Sequence, residues 1–330
     1  DDLINIRHTE EKYPQELRDS IKINTQTTTR EKIKIDSEED FISTAQENGW
    51  EGDGSEENPF IIENYSIDAR GNGNAILISN TTMHFEILNC FVYNASWSSN
   101  PYLAGEGIAV YNASNGRIEG NTAFSNEGDG IDLQEASDII VENNRAFSNS
   151  DDGVHLSNTI DSVVSNNTIS TNDDDGVFLQ QDCKNNLIFN NTINLNGKYS
   201  ILTLYSEGNR IEGNTLIKSR AGIVCSQGED TVIMDNDIQN TDHGIYVIDT
   251  DNITVIQNTV SDSDYGLYTS TANYNTISEN TFISSELYGV TFSLNSNNNI
   301  LNNNTISASQ KYGLYLSTSE KNSIYNNTIF

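Results

Sequence analysis

Carboxylates recur at one position of successive segments in the first half of the sequence, directly before a glycine in each. The main members, here called the acidic row, are Asp129, Asp151, Asp152, Asp174 and Asp175. If these segments stack as neighbouring strands roughly 4.8 Å apart, Asp129, Asp152 and Asp175 lie above one another. Such a row repels itself unless it is neutralised, and its oxygens suit Ca²⁺, which takes about six to eight oxygen ligands in flexible geometry. The row therefore predicts a calcium site, with a solvated acidic turn that binds nothing as the alternative.

Aromatic residues take the same position in the second half of the sequence. They are Tyr199, His243, Tyr265, Tyr288 and Tyr312. Stacked tyrosines combine a flat apolar face with a polar edge, which suits a sugar ligand or a protein partner. We predict an interface formed by Tyr265, Tyr288 and Tyr312 together with Phe330, and an exposed ladder that only stabilises itself is the alternative.

Both columns belong to a repeat in which a glycine is followed by an aliphatic residue. The glycine slot holds Gly107, Gly130, Gly153, Gly176, Ser200, Gly222, Gly244, Gly266, Gly289 and Gly313, at intervals of 22 to 24 residues. An asparagine follows each slot after 14 or 15 residues, from Asn121 to Asn327, with weaker earlier copies at Asn64 and Asn89. Apolar residues alternate with polar ones around both positions, which indicates short strands. A repeat of this length predicts an all-β solenoid, a right-handed parallel β-helix of about twelve coils. A leucine-rich repeat is the alternative, but its helical segment and its leucines are missing.

Three further features have structural interpretations. The asparagine column predicts a ladder in which each side chain binds backbone and the asparagine of the next coil. The glycine slot predicts either a positive φ or a close backbone approach. The three cysteines, Cys90, Cys183 and Cys225, are odd in number and scattered, which favours core filler over a disulfide framework or a zinc site.

The sequence divides into an N-terminal arm at 1–36, a capping helix and loop at 37–58, and the β-helix at 59–330. Ser37 and Asp40 resemble a capping box that opens a helix from Glu38 to Asn48, and Trp50 follows as a plug over the first coil. The last coil has no comparable lid. We therefore expect either more chain or a second subunit to cover it, which predicts head-to-tail self-association.

The charge of -31 argues against nucleic-acid binding and against docking on anionic lipid, since both need basic patches. No apolar run approaches the length of a membrane span. A first residue other than Met favours an exported chain, secreted or at the cell surface. Glycosylation sequons occur at Asn64, Asn80, Asn94, Asn112, Asn166, Asn190, Asn252, Asn303 and Asn326.

The segment GWEGDGSEENPFIIENYSID, followed by G-[IV]-x-[LV] and N-N-T-[IV] coils, resembles exported archaeal and bacterial β-helix repeat proteins of the NosD-like or carbohydrate-binding and sugar-hydrolysis type. This resemblance covers 37–330 and implies an extracytoplasmic protein, such as an archaeal surface protein. The acidic row also resembles the sites of β-helical polyuronate lyases and epimerases. That resemblance implies Ca²⁺ on a substrate carboxylate, Lys198 or Arg220 removing the C5 proton, and His155 or Tyr199 acting on the opposite side.

Two functions follow as hypotheses. The first is a structural subunit of an extracellular filament, sheath or surface layer, calcium-stabilised and glycosylated, because the sequence shows no complete catalytic set. The second is a carbohydrate-active or carbohydrate-binding β-helix, acting as a polysaccharide lyase or epimerase if it is an enzyme.

Overall fold

A computed structural model describes residues 27–98 and 104–330. The chain there winds into a right-handed parallel β-helix of about twelve coils with one short helix near the N-terminus, so the predicted fold is confirmed. Each coil contributes one strand to each of three sheets. Every strand pairs in parallel with the equivalent strands of the coils before and after it.

Sheet 1 begins at the glycine slot. Its strands are Ile33–Ile35, Ile76–Thr81, the first part of Ile108–Glu119, Ile131–Gln134, Val154–Ser157, Val177–Gln180, Tyr199–Leu204, Ala221–Ser226, His243–Ile248, Tyr265–Ser270, Tyr288–Ser293 and Tyr312–Leu316. Sheet 2 follows it along the chain. Its strands are Phe60–Glu63, Phe85–Leu88, the second part of Ile108–Glu119, Ser137–Glu142, Val163–Ser165, Leu187–Phe189, Arg210–Glu212, Val232–Met234, Thr254–Ile256, Thr276–Ser278, Ile300–Asn302 and Ser323–Tyr325.

Sheet 3 follows the asparagine column and closes each coil. Its strands are Thr28–Arg30, Tyr65–Asp68, Phe91–Tyr93, Thr122–Phe124, Arg145–Phe147, Thr168–Ser170, Thr192–Asn194, Thr215–Ile217, Asp237–Gln239, Thr259–Ser261, Thr281–Ile283, Thr305–Ser307 and Thr328–Ile329. The inward residues of the three sheets form one continuous apolar core. Cys90, Cys183 and Cys225 lie in it as free buried thiols, and burial raises the pKa of Cys90 to about 12.

The asparagine column forms the predicted ladder. From Asn121 to Asn327 each Nδ2 donates to the next Oδ1 over 2.9–3.1 Å, and each Oδ1 also accepts the backbone N–H below it. Asn64 and Asn89 are not its earlier members: both have positive φ and occupy the corner one residue before the ladder position. Cys90 takes that position instead, and its N–H donates to Asn121 Oδ1 over 2.8 Å.

The glycine slot is explained by close approach and not by positive φ. A Cβ on Gly153 would lie 2.2 Å from Cγ2 of Ile169 and 2.7 Å from the carbonyl oxygen of Gly176. The core side chains of sheet 3 therefore fill the space that a larger residue would need.

The predicted helix, α1, spans Glu38–Asn48. Ser37 caps it by accepting the N–H of Asp40 over 3.1 Å, whereas the Asp40 carboxylate accepts the N–H of Asp36 and does not complete a reciprocal box with Ser37. Phe41 is fully buried and stacks on Phe60 at 4.8 Å, so α1 covers the front of the core.

Part of the sequence assigned to the N-terminal arm belongs to the β-helix. Thr28–Arg30 pairs with Tyr65 to Ile67, and Ile33–Ile35 pairs with Ile76 to Ile78. Ile33 and Ile35 are buried, so these strands form the first coil on the chain's own core. Residues 1–26 lie outside the described residues.

At the other end of the described chain, the last coil exposes apolar side chains. Phe330 is 78% exposed, and Ile324 and Ile329 are 40% and 46% exposed although they stand in core columns. Across residues 27–98 and 104–330, no helix has the length and apolar character needed to cross a membrane.

Candidate functional site

The turn from sheet 3 into sheet 1 is held by a second asparagine ladder. Asn126, Asn149, Asn172 and Asn196 are buried, and the Nδ2 of each of the first three donates to the Oδ1 of the next over 2.9–3.0 Å. The four residues lie three positions before the column that contains Asp129, Asp152 and Asp175. The amide ladder therefore fixes the backbone from which these carboxylates project.

Carboxylates in this column bind the backbone of the coil above. Asp129 Oδ1 accepts the N–H of Asp152 over 2.8 Å, and Asp152 Oδ1 accepts that of Asp175 over 2.7 Å. Asp175 Oδ1 in turn accepts the N–H of Tyr199 over 2.8 Å, and Glu106 accepts the N–H of Asp129 from below. These four acidic residues, here called the carboxylate ladder, are each less than a tenth exposed.

Burial raises the pKa of every member of the carboxylate ladder. It raises the pKa of Asp129 to about 6, that of Asp175 to about 7 and that of Asp152 to about 9. The pKa of Glu106 also lies well above its ordinary value, first because of burial and then because of the charges of Asp129 and Asp132. Near neutral pH the ladder must hold protons or a cation.

His155 stands beside the ladder on the outward side of sheet 1. Its Nδ1 lies 2.8 Å from Asp132 Oδ1 and 3.4 Å from Asp129 Oδ2, and its Nε2 lies 2.7 Å from Nε2 of Gln180. Burial disfavours the charged ring, but the hydrogen bonds to Asp129 and Asp132 raise the pKa of His155 well above its usual value. The group combines a proton donor, acceptors and a fixed ring orientation, which is what proton transfer requires.

The rim beside the ladder contains both signs of charge. Lys198 Nζ lies 2.6 Å from the Asp174 carboxylate, and this hydrogen bond raises the pKa of Lys198. Asp151 is partly buried, which raises its pKa, and the charge of Asp174 adds to the rise. Arg220 is exposed one coil above Lys198. The structure thus brings Lys198 to the acidic row and places Arg220 nearer to the aromatic residues.

Above the carboxylates, the same face of sheet 1 becomes aromatic. The rings, here called the aromatic platform, are His243, Tyr246, Tyr265, Tyr268, Tyr288, Tyr312 and Tyr315. His243 stacks on Tyr265 at 4.8 Å and Tyr288 on Tyr312 at 5.8 Å, nearly parallel in both cases. Tyr246 meets Tyr268 edge-on at 5.4 Å. Three of the four predicted interface residues, Tyr265, Tyr288 and Tyr312, belong to this platform; Phe330 is on the last coil.

Potential metal ligands approach one another in three groups. These are Asp129 with Asp132 and His155, Asp129 with Asp151 and Asp152, and Asp152 with Asp174 and Asp175, with ligand atoms within 4.8 Å in each group. All five residues of the predicted calcium site are included. The donor set is almost entirely carboxylate oxygen.

The fold and the site define the chain as a parallel β-helix protein with a buried carboxylate and histidine cluster on one sheet. The chain belongs to the family described as periplasmic copper-binding protein (NosD), whose model matches residues 31–221 and 217–330. None of the curated proteins matches this chain.

Solved structures with the same fold include carbohydrate-active enzymes. The A-module of a mannuronan C-5 epimerase from Azotobacter vinelandii is 15% identical, with a TM-score of 0.64 over 82% of this chain and 84% of that one. A periplasmic alginate epimerase is 14% identical, with a TM-score of 0.53 over 92% and 84%. The catalytic unit of a thermostable α-1,3-glucanase from Streptomyces thermodiastaticus is 13% identical, with a TM-score of 0.56 over 91% and 69%. At these identities the likeness shows the fold alone.

Copper does not fit the residues of this site. Copper sites in proteins draw on several imidazoles or on thiolate and thioether sulfur. In the described ranges the three ligand groups contain one imidazole, that of His155, and no sulfur. Burial raises the pKa of Cys183 and of Cys225 to about 11, so neither is a ready thiolate ligand. We assign no chemistry to copper.

Two members of the site were not predicted from the sequence. Glu106 stands one residue before Gly107, in the same column as Asp129, so the repeat contained the signal. Gln180 pairs with His155 from the next coil and carries no motif of its own.

The predicted sequons all lie at corners of the β-helix. Their nine asparagines have φ between 45° and 59°, and none is buried. Asparagine tolerates this left-handed conformation better than most residues, which accounts for its presence there. Glycosylation of these positions stays a prediction.

Proposed function

We propose that this chain is a carbohydrate-active β-helix that binds a polysaccharide across the outer face of sheet 1 and transfers protons at His155. The observation that carries the proposal is the juxtaposition on one face of a buried His155, Asp132 and Asp129 cluster and the aromatic platform. Aromatic faces provide apolar contact area for sugar rings, and a histidine fixed by carboxylates is a proton-transfer group.

The fold comparisons support this class of function. Two of the similar structures are epimerases of alginate-type polymers and one is a glucanase, and all share the parallel β-helix. The family is described as periplasmic. We place the protein outside the cytoplasm, secreted or at the cell surface, where polysaccharides are available.

The finer proposal of a polyuronate lyase or epimerase depends on a base. Lys198 is paired with Asp174, which raises its pKa, so it serves better as a cation than as a base. Arginine keeps its proton in proteins. The pKa of His155 is raised as well, so His155 serves better as a proton donor, which leaves Tyr199 as the candidate for proton removal. Calcium held by Asp129, Asp151, Asp152, Asp174 and Asp175 would neutralise the row.

Binding and chemistry can be separated by substitutions on the two halves of the face. We expect native gels that contain a polysaccharide ligand to retard the full chain. The Tyr265→Ala variant should not be retarded in the same gels. His155→Gln should keep the retardation but lose release of new reducing ends or unsaturated products. Tyr274→Ala is the matched control, because Tyr274 is 61% exposed on a turn away from the platform. Retardation that survives Tyr265→Ala and Tyr288→Ala together would refute the proposed surface.

A second candidate is the structural subunit of an extracellular assembly. Its contact surface would be the edge of the coil that carries Ile324, Ile329 and Phe330. The front end of the β-helix is a less suitable contact surface, because α1 covers the core there and begins with Glu38, Glu39 and Asp40. Head-to-tail stacking would bring that acidic helix onto the exposed coil.

A further inference from the structure

We infer that the polysaccharide bound on sheet 1 is a neutral glycan and not a polyuronate. This inference rests on the proposed function and specifies its substrate class. It comes from the charges on the face, from an unpaired buried hydroxyl within the aromatic platform, and from the polar groups that surround both.

Acidic groups predominate on this face. Its carboxyl groups are Glu106, Asp129, Asp132, Asp151, Asp152, Asp174, Asp175, Asp242 and Asp264. Its basic residues besides His155 are Lys198, Arg220 and Lys311, of which Lys198 is paired with Asp174. A polyuronate brings a negative charge with each sugar, and like charges brought together at an interface oppose binding. A neutral chain avoids that repulsion.

The platform contains a hydroxyl that lacks a partner. Thr291 is 1% exposed and lies in register between Tyr268 of the coil below and Tyr315 of the coil above, on the outward side of sheet 1. Within the described residues its Oγ1 has no hydrogen-bond partner. An unpaired buried hydroxyl is unfavourable, so this atom is suited to a ligand group that reaches between the tyrosine rings. A sugar hydroxyl can both donate to it and accept from it.

The polar groups of the acidic half match the same chemistry. The Asp152 and Asp175 carboxyl groups are fixed by the backbone N–H groups of Asp175 and Tyr199, so they offer ordered acceptors for sugar hydroxyls. Burial raises the pKa of Tyr246 and Tyr265, so their hydroxyls stay protonated and can donate. These groups complement sugar hydroxyls, and the face has too few basic residues to pair with every carboxylate of a uronate chain.

The test is native affinity electrophoresis of the full chain in gels containing dextran, mannan, xyloglucan, alginate or polygalacturonate, each with EDTA and with Ca²⁺. We expect at least one neutral polymer to retard the protein in EDTA, and neither uronate polymer to do so under either condition. Thr291→Val should weaken binding of that neutral polymer by about 2- to 10-fold, the loss of one hydrogen bond. The same variant should melt no lower than the parent, because it removes an unpaired buried polar atom.

The possible failures are distinguishable. The neutral class is wrong if alginate or polygalacturonate retards the protein at least as strongly as every neutral polymer does. Retardation by a uronate polymer only in the presence of Ca²⁺ counts as such a result. In either case the proposed function still stands. Unchanged affinity in Thr291→Val overturns the role of that hydroxyl. Absence of retardation by all five polymers overturns both the inference and the proposed function.

Discussion

Each aspartate of the carboxylate ladder performs two tasks with its two oxygens. One oxygen accepts a backbone N–H of the coil above, as Asp129 does for Asp152, and this fixes the side chain. The other is free to face His155, a cation or a ligand, as Asp129 Oδ2 does at 3.4 Å from the His155 ring. The site is therefore ordered by its own β-helix before any ligand binds, which lowers the entropic cost of binding.

The raised pKa values of the ladder predict that the protein becomes less stable as the pH rises. Folding raises the pKa of Asp129, Asp175 and Asp152 from 3.8 to about 6, 7 and 9, so the folded state binds more protons than the unfolded chain. The resulting stabilisation is complete below the unfolded pKa and is lost as the pH rises through the folded values. In EDTA we expect the free energy of unfolding to fall by on the order of a few kcal/mol between about pH 4 and about pH 9.

Denaturant titrations at a series of pH values measure this slope. The triple variant Asp129→Asn, Asp152→Asn, Asp175→Asn is the matched control, because an asparagine oxygen can still accept the same backbone N–H. Its stability should vary less across the range. A parent protein that grows more stable from pH 5 to 9 would contradict the assignment of protons to the ladder.

Calcium should replace those protons. At about pH 8 we expect Ca²⁺ to raise the Tm by mass action on the folded state, and at about pH 5 we expect a smaller rise because protons compete for the same oxygens. Differential scanning calorimetry with and without EDTA measures both shifts. An equal rise in the Tm of the triple asparagine variant would show that calcium does not bind at the acidic row.

Sequence reasoning located the acidic row because its members repeat in one column before the glycine slot. It could not supply the hydrogen bonds that make the row a ladder, since they join side chain to backbone between coils. It also missed Gln180, which acquires its role only through contact with His155 in the coil below. Burial, and with it the raised pKa values, depends on that same packing.

At the scale of the strand, the core depends on columns of inward residues. Ile211 is fully buried in sheet 2 between Ile188 and Ile233 of the adjacent coils. Ile211→Asp would place a charge there with no partner, and we expect it to cost more than about 4 kcal/mol and to unfold neighbouring coils. Arg210→Ala, on the exposed side of the same strand, should cost less than about 1 kcal/mol. Thermal unfolding of both variants checks the register, and equal melting would contradict it.

The period of the repeat made the strands predictable, because each coil repeats the same alternation of apolar and polar residues. The helix α1 was predictable because Ser37 gives a recognisable helix start. The first coil was not recognised because Ile33 and Ile35 carry the alternation without the glycine and asparagine that mark later coils. The second asparagine ladder has the same spacing as the first, but the sequence analysis did not predict it. Both depend on contacts between adjacent coils, which the sequence of a single strand does not reveal.

At the scale of the molecule, the two ends of the β-helix differ. The front is covered by α1, whose Phe41 is buried against Phe60, and its first turn is acidic. The last coil exposes Phe330 and core-column residues. Every copy carries a charge of -31, so contacts between copies are opposed over distances of about 8 Å at physiological salt.

From these differences we predict that the full chain does not stack head to tail into filaments. An exposed coil edge can pair with another strand edge, but at the front that edge lies beside a helix that begins with Glu38, Glu39 and Asp40. Negative-stain electron microscopy and analytical ultracentrifugation at low and high salt should therefore show short, unpolymerised particles. Removal of residues 1–26 provides the sharper comparison, because it leaves the first coil at Thr28–Arg30 and Ile33–Ile35 in place. If the full chain forms filaments and the truncated chain does not, the prediction is wrong and the structural subunit becomes the better assignment.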